Sequence, residues 1–436
     1  MKILIISSLS PFKSGNYGKR LIDTFVKAGY ETDYLTKYKF EGMGDNMYSV
    51  YDEEEPKVQK VTPSPRSSWK YYLCFKYPLL DYIDSKRGVQ QSVINLSEEE
   101  PEVDASLVCS KIVKHYDAVY ITFWQFMLTT KTIKMIYEKL RVPIFLSTVD
   151  MFPMTGGCYY FGSCNNYQNE CRKCPASKLF KSPEIPHNNF VYKRDVYKST
   201  NCIYFCNKWM RERILKAGII DADRIRLFLE SGNPVFMIDD KKSTLREELH
   251  LPQEKFVIFA GAANVRLRRK GFNKMARAVN LFVKNNACQD KVLIVLAGRN
   301  DESFQKYFNA EVRHVGFLST ENLAKMYRAA DLYLSPSLED AGPSMVVQSL
   351  SCGTPVIAFE MGVAPEEIMH KKTGYIARLG DVKDFVKGIS LFYHKSKDEL
   401  EAISVLCRKN ALEARNPSKF IEGFKKLYEE FKDKNV

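Results

Sequence analysis

The chain has 436 residues, a formal net charge of +13, and a composition of 45% hydrophobic and 27% charged residues. This is ordinary globular composition, which excludes disordered and fibrous classes, and the length predicts two domains. No run of about 18 apolar residues occurs, so no membrane-spanning helix is expected, and the basic balance calls for an anionic substrate, partner or surface.

The opening MKILIISSLSPF has a short apolar run and no small-residue cleavage site. It reads as a first buried strand, not a leader, and places the chain in the cytoplasm with reduced thiols and an unused sequon at Asn95. Lys2–Ser7 is a predicted strand, Gly18–Ala28 an amphipathic helix ended by Gly29, and Glu31–Thr36 the next strand, a Rossmann-like βαβ unit. The loop from Ser14 to Gly18 lacks the three-glycine dinucleotide fingerprint, so neither a nicotinamide nor a flavin cofactor is expected.

Residues 37–110 give no clear pattern. Within them, 63–90 mixes Arg66, Lys70, Lys76, Lys86 and Arg87 with Trp69, Tyr71, Tyr72, Phe75 and Tyr77. Such a stretch is either a helical insertion packing its aromatics or an element resting on an anionic membrane. Nucleic acid is not expected as a partner, because no recognised binding motif is present. Apolar runs at Ala118–Phe123, Pro143–Ser147 and Asn201–Cys206 suit buried parallel strands.

Between the last two lies DMFPMTGGCYYFGSCNNYQNECRKCP, which begins at Asp150 and carries Cys158, Cys164, Cys171 and Cys174. The closing CxxC suits two ligands of a tetrahedral structural zinc site; four reduced cysteines are the alternative. Cys202 and Cys206 sit on a predicted strand and read as packing. The first domain is expected to span 1–238, with the polar stretch Asp239–Glu248 as a linker to a second domain at 250–417.

In the second domain strands are expected near 256–261, 292–298, 312–316, 331–335 and 355–359. The first turn, FAGAANVRLRRKGF, places small Gly261, Ala262 and Ala263 before Arg266, Arg268, Arg269 and Lys270. Backbone can approach a ligand there, and fixed cations suit a diphosphate leaving group that gains charge as its bond breaks. Gly298 ends the next strand as another close-approach position. The stretch Ser335–Phe359 then reads as strand, turn with Asp340, helix Ser344–Ser351 opened by Pro343, and a second strand after Cys352-Gly353-Thr354-Pro355. The helix N-terminus favours a phosphate, and Gln348 leans back toward it. A final helix, Ser418–Phe431, presents Phe420, Phe424, Leu427 and Phe431 as one apolar stripe that must be buried.

Asp340, the seven-residue spacer to Gln348, CGTPV at Cys352–Val356 and the Lys270-Gly271 pair together resemble the family-4 glycosyltransferases of GT-B fold. The segment from Asp150 to Pro175 is similar to an insertion in their surface-polysaccharide branch. Two departures stand out: Gln348 occupies the position of a Glu, and Val149 that of a His.

The resemblance implies an α/β protein of two Rossmann-like domains facing across a cleft, with the last helix (418–436) returning to the first domain. It implies retaining, metal-independent transfer of a sugar from a nucleotide-diphosphate donor to a lipid-linked saccharide, for cell-surface polysaccharide assembly at the inner face of the plasma membrane. Asp150 would serve the acceptor. Lys270 with Arg266, or else Arg269, would face the diphosphate, and Gln348 the ribose. Asp340 and the backbone of Ala341, Gly342, Pro343 and Ser344 would hold the donor sugar. Val315, Gly316, Phe317 and Leu318 would cradle the base, and Gly261 and Gly298 would lie against the donor. Gly15 and Gly18 would border its phosphates, with a plain turn as the alternative. Rival readings are a sugar-nucleotide epimerase, a non-catalytic sugar-nucleotide-binding scaffold, and a membrane adaptor, the last of which leaves the Ser335–Phe359 motif unexplained.

Overall fold

The computed structural model describes residues 1–56, 97–147, 150–177, 182–228, 230–265, 267–298 and 302–434. Asn95, the basic-aromatic stretch 63–90, Val149 and Arg266 lie outside the described residues. The chain forms two compact units, one drawing its described residues from 1–60, 89–231 and 416–436, the other from 232–415.

In the first unit the apolar runs become seven strands: β1 (Lys2–Ser7), β2 (Glu31–Lys39), β3 (Met47–Glu54), β4 (Ala118–Ile121), β5 (Ile144–Ser147), β6 (Cys202–Cys206) and β7 (Ile225–Leu227). They pair in parallel in the order β3-β2-β1-β4-β5-β6-β7. The order reverses between β1 and β4, as in a doubly wound sheet. The first helix, Lys13–Lys27, starts five residues before the expected Gly18, so Gly15 is helical and not in a loop. Gly18 is a packing residue: a Cβ there would stand 2.7 Å from Pro11 Cα.

One face of this sheet is closed by the helix Pro417–Phe431. Its Phe420, Phe424, Leu427 and Phe431 are buried with Ile3, Ile5, Tyr120, Phe145 and Phe205. The Phe424 ring lies 4.9 Å from Phe25 and 4.8 Å from Phe145, centroid to centroid. Each such ring contributes about 1.5–3 kcal/mol of burial, so the stripe read from the sequence is a wall of this core.

The second unit has six strands: β8 (Phe256–Ala262), β9 (Val292–Gly298), β10 (Glu311–Gly316), β11 (Leu332–Ser335), β12 (Val356–Phe359) and β13 (Gly374–Ala377). All are parallel, in the order β10-β9-β8-β11-β12-β13, with the reversal between β8 and β11. Apolar side chains fill both faces, Ile258, Ile294 and Phe385 on one and Val257, Phe259 and Tyr327 on the other. The expected linker is instead part of this unit. Lys242–Glu248 is a helix, and its Leu245 and Arg246 are buried. The reason is Asp331, which lies at the start of β11 and accepts from Arg246 Nη2 at 2.6 Å, Lys242 Nζ at 2.9 Å and Val257 N at 2.8 Å. The architecture is α/β with two Rossmann-like sheets. Among the described residues, no helix is long and apolar enough to cross a membrane.

Candidate functional site

In an open parallel sheet, ligands bind beyond the carboxyl ends of the strands where the strand order reverses. In the second unit that place lies beyond β8 and β11, and both arms of the sequence motif arrive there. After β8 the chain makes a 3-10 turn, Arg268–Lys270, closed by Gly271 at φ 66°. A Cβ on Gly271 would stand 1.8 Å from Pro336 O, so only glycine lets the turn seat directly on the chain leaving β11. Leu338 N donates to Arg269 O at 2.6 Å and fixes the register of the two segments.

The seating brings Lys270 to Asp340. Lys270 Nζ lies 2.5 Å from Asp340 Oδ2, and Arg269 Nη1 lies 3.4 Å from the same oxygen. Asp340 is buried, while the Lys270 and Arg269 side chains keep part of their surface in solvent. Arg269, one of the two arginines the sequence offered, thus lies beside Asp340. Arg266 is outside the described residues.

The helix Ser344–Ser351 starts four residues beyond Asp340, and no side chain caps its N-terminus. Pro343 precedes the helix as its cap residue at φ −65°, ψ 93°, one position earlier than the sequence implied. The first amides of such a helix are open donors for an anion. Gln348 is half-buried on the next turn, and its Oε1 accepts from the Tyr327 hydroxyl at 3.3 Å. That bond fixes which end of the amide is the acceptor, so Nε2 is presented as a donor.

The strand β10 ends in a bulge between His314 and Gly316, the latter at φ 67°. Phe317 stands out from it 69% exposed, and Val315 and Leu318 pack against the β8-side core. Gly298 ends β9 opposite Ala262, the last residue of β8, and Gly261 precedes it opposite Ala297. Lys270, Arg269, Asp340 and the start of the Ser344–Ser351 helix therefore form one locality. Gln348 extends it along the helix, and residues 315–318 close and follow the carboxyl end of the edge strand β10.

In the first unit Asp150 follows β5 and is buried. Its Oδ1 accepts from Phe152 N at 2.8 Å and its Oδ2 from Gln125 Nε2 at 2.6 Å. The loop that carries it is gripped from below by Lys193 on the helix Ile185–Lys198. Lys193 Nζ donates to Phe152 O at 2.7 Å and Thr155 O at 3.0 Å and lies 3.6 Å from the Phe152 ring centroid. Burial pulls the Lys193 pKa below that of an ordinary lysine, against the opposing charge of Glu98. Gly156 is forced by contact, since a Cβ would stand 1.9 Å from Pro186 O. Neither Lys193 nor Glu98 carries a motif, and the sequence alone did not single them out.

The expected zinc site finds no support among the described residues. Among the described residues, no group of three or more His, Cys, Asp or Glu side chains is placed to hold a metal ion. Cys171 Sγ accepts from Gly156 N at 3.2 Å, and Cys164 Sγ accepts from Asn166 N at 3.4 Å. Burial raises the thiol pKa values of Cys158, Cys171 and Cys174, that of Cys171 to about 12.

Residues 240–406 match the family described as glycosyl transferases group 1. The chain is 23% identical over 233 residues to an uncharacterized glycosyltransferase of Methanocaldococcus jannaschii, covering 48% of this chain and 57% of the relative. It is 22% identical over 219 residues to the N,N'-diacetylbacillosaminyl-diphospho-undecaprenol alpha-1,3-N-acetylgalactosaminyltransferase of Campylobacter jejuni, covering 48% of this chain and 55% of that protein. The chain thus spans about half the length of these curated relatives. Among solved structures, it is similar to sucrose-phosphate synthase from Thermosynechococcus elongatus, with a TM-score of 0.63 at 15% identity over 98% of both chains. It is also similar to Anabaena HepE in complex with UDP and glucose, with a TM-score of 0.61 at 14% identity, covering 99% of this chain and 100% of that one. The fold is GT-B.

Proposed function

We propose that the chain is a retaining glycosyltransferase that moves a sugar from a nucleotide-diphosphate donor to a hydroxyl of a saccharide acceptor, lipid-linked, in the assembly of a cell-surface polysaccharide. The observation that carries this reading is the meeting of Lys270 and Asp340 at the strand reversal of the second unit, beside an uncapped helix start. That pair lies inside the stretch that matches the group 1 glycosyl transferases. The Campylobacter relative, whose name specifies a lipid-diphosphate acceptor, supports the lipid-linked part of the reading.

Each group has a role that follows from its chemistry. Lys270 and Arg269 (or Arg266) neutralise the diphosphate as the glycosidic bond breaks, and a charge that grows in the transition state is stabilised there more than in the ground state. Asp340 accepts hydroxyl protons from the donor sugar, and the backbone from Ala341 to Ser344 serves the same ring and its phosphates, with N–H donors at every position but Pro343. Gln348 donates through Nε2 to the ribose, and Val315–Leu318 border the base. Asp150 takes part on the acceptor side. No metal is assigned to the chemical step.

The +13 charge supports a chain held at the anionic cytoplasmic face of a membrane, close to a lipid-linked acceptor. Thermal-shift titration against UDP-, GDP- and ADP-sugars tests the donor assignment, because a ligand that binds only the folded chain raises its melting temperature. One of the three should stabilise the chain and be turned over with a lipid-linked saccharide. No shift with any nucleotide sugar removes the reading.

A further inference from the structure

The strand reversal that organises the second unit has a counterpart in the first, between β1 and β4. Four hydroxyl side chains and one carboxylate meet there. Glu230, which follows β7, accepts at Oε1 from Ser147 Oγ at 2.6 Å, from Tyr120 Oη at 3.1 Å and from the Tyr17 hydroxyl. Tyr17 stands near the start of the helix after β1, Tyr120 lies in β4, and Ser147 ends β5. Thr122, one residue beyond β4, is fully buried, and its Oγ1 has no hydrogen-bond partner. It borders the same Tyr17 hydroxyl.

The backbone at this reversal is strained. Phe123 has φ 45°, rare for a bulky side chain, and its carbonyl is held by Ser8 N at 2.8 Å. The Phe123 ring packs edge-on against Tyr17, with centroids 5.3 Å apart, and the Arg20 guanidinium lies 5.5 Å from the Tyr17 ring centroid. Tyr17 and Glu230 are only half-buried, so the cluster is reached from solvent. Burial and the Glu230 charge both raise the pKa of Tyr17 and Tyr120, which keeps their hydroxyls protonated.

We propose that Glu230, Tyr17, Tyr120, Ser147 and Thr122 form a hydroxyl-binding subsite that takes an uncharged sugar ring of the acceptor and rejects a phosphorylated one. The inference rests on the transfer reading and narrows its acceptor. A sugar hydroxyl can donate to the Glu230 carboxylate and accept from the unpartnered Thr122 hydroxyl, so both halves of its hydrogen-bonding capacity are met. A phosphate offers acceptors only, and its charge opposes that of Glu230. The same ring could arrive as a free glycoside or on a lipid, and both present the same hydroxyls.

The test is saturation-transfer NMR on the full chain with methyl glycosides of glucose, galactose and N-acetylglucosamine, their octyl glycosides, and the corresponding 6-phosphates. Nucleotide-sugar affinity is measured alongside. Wild type should bind at least one uncharged glycoside and none of the 6-phosphates. A gain in affinity from methyl to octyl marks a lipid-borne ring, and equal affinities mark a free one. Glu230→Gln should weaken the glycoside at least about tenfold, the worth of a charge-assisted hydrogen bond, with donor affinity unchanged. Thr122→Val, which removes a hydroxyl without changing volume, should weaken it with no loss of stability. Binding of the 6-phosphates, equal glycoside affinity in Glu230→Gln, or no glycoside binding by wild type each overturns the subsite. Failure of every nucleotide sugar to bind overturns the transfer reading instead, and the glycoside result still decides the subsite.

Discussion

Lys193 and Glu98 are both sealed from solvent, with Nζ 3.2 Å from Oε1, although 95 positions of chain separate them. Glu98 Oε2 also receives Thr130 N at 2.7 Å and Thr130 Oγ1 at 2.8 Å, so the pair ties the loop after Asp150 to the helix Thr130–Leu140. Removing one charge strands the other. Lys193→Met should cost about 3–5 kcal/mol in chemical denaturation. Adding Glu98→Gln should restore part of that loss, and a double variant no better than the single would show that the charges are not coupled.

Lys270→Ala should lower turnover by about 10²–10³-fold, the range seen when a group that stabilises developing negative charge is removed. The fold should survive, because Arg269 Nη1 still lies 3.4 Å from Asp340 Oδ2 and keeps a cation beside the buried carboxylate. Steady-state kinetics and a melting curve on the same sample check both halves. Undiminished turnover would sink the diphosphate role.

At Gln348 an amide stands where a carboxylate would accept two ribose hydroxyls. Gln348→Glu should keep the Tyr327 bond and tighten nucleoside diphosphate binding by about tenfold, or about 1.4 kcal/mol. Calorimetric titration reads this directly. An unchanged affinity would move the ribose elsewhere.

Asp331 gives a pH signature. Burial opposes its charge, but Lys242, Arg246 and the Val257 amide outweigh burial and hold its pKa below the usual carboxylate range. A folded pKa below the unfolded one stabilises the fold above the unfolded value, and that contribution is lost as pH falls through the folded pKa. The gap in melting temperature between wild type and Asp331→Asn should therefore be full at about pH 7 and close progressively below about pH 4. A gap that stays constant into acid would show that the carboxylate's charge is not what stabilises the strand.

What could be read from the sequence was what has a local signal. β8, β9, β11 and β12 are unbroken apolar runs, and Lys270 and Asp340 each sit beside such a run with a glycine-bearing turn. β3 and β13 were missed because Met47–Glu54 ends in acids and Gly374–Ala377 has only four residues. Spacing favoured Arg266, which lies outside the described residues, and that the Arg269 carbonyl is bound by the chain after β11 is revealed only by the folded turn. The cysteine spacing leaves a zinc site without support for a related reason. A tetrahedral site needs four sulfurs about 2.3 Å from one point, and residue counts do not fix where a loop aims them. Tyr17 and Glu230 lie 213 positions apart and have no pattern between them. Only the strand order brings them together.

The aromatic wall that Pro417–Phe431 supplies has a consequence for biogenesis. Synthesis runs from the amino end, and domains ordinarily fold in the order in which they leave the ribosome. Here β1 to β7 emerge early, but Phe25 and Phe145 gain their Phe424 neighbour only after every residue of the second sheet has been made. The half synthesised first is thus the half completed last, and in the interval its unfinished face is an apolar surface for chaperones to guard.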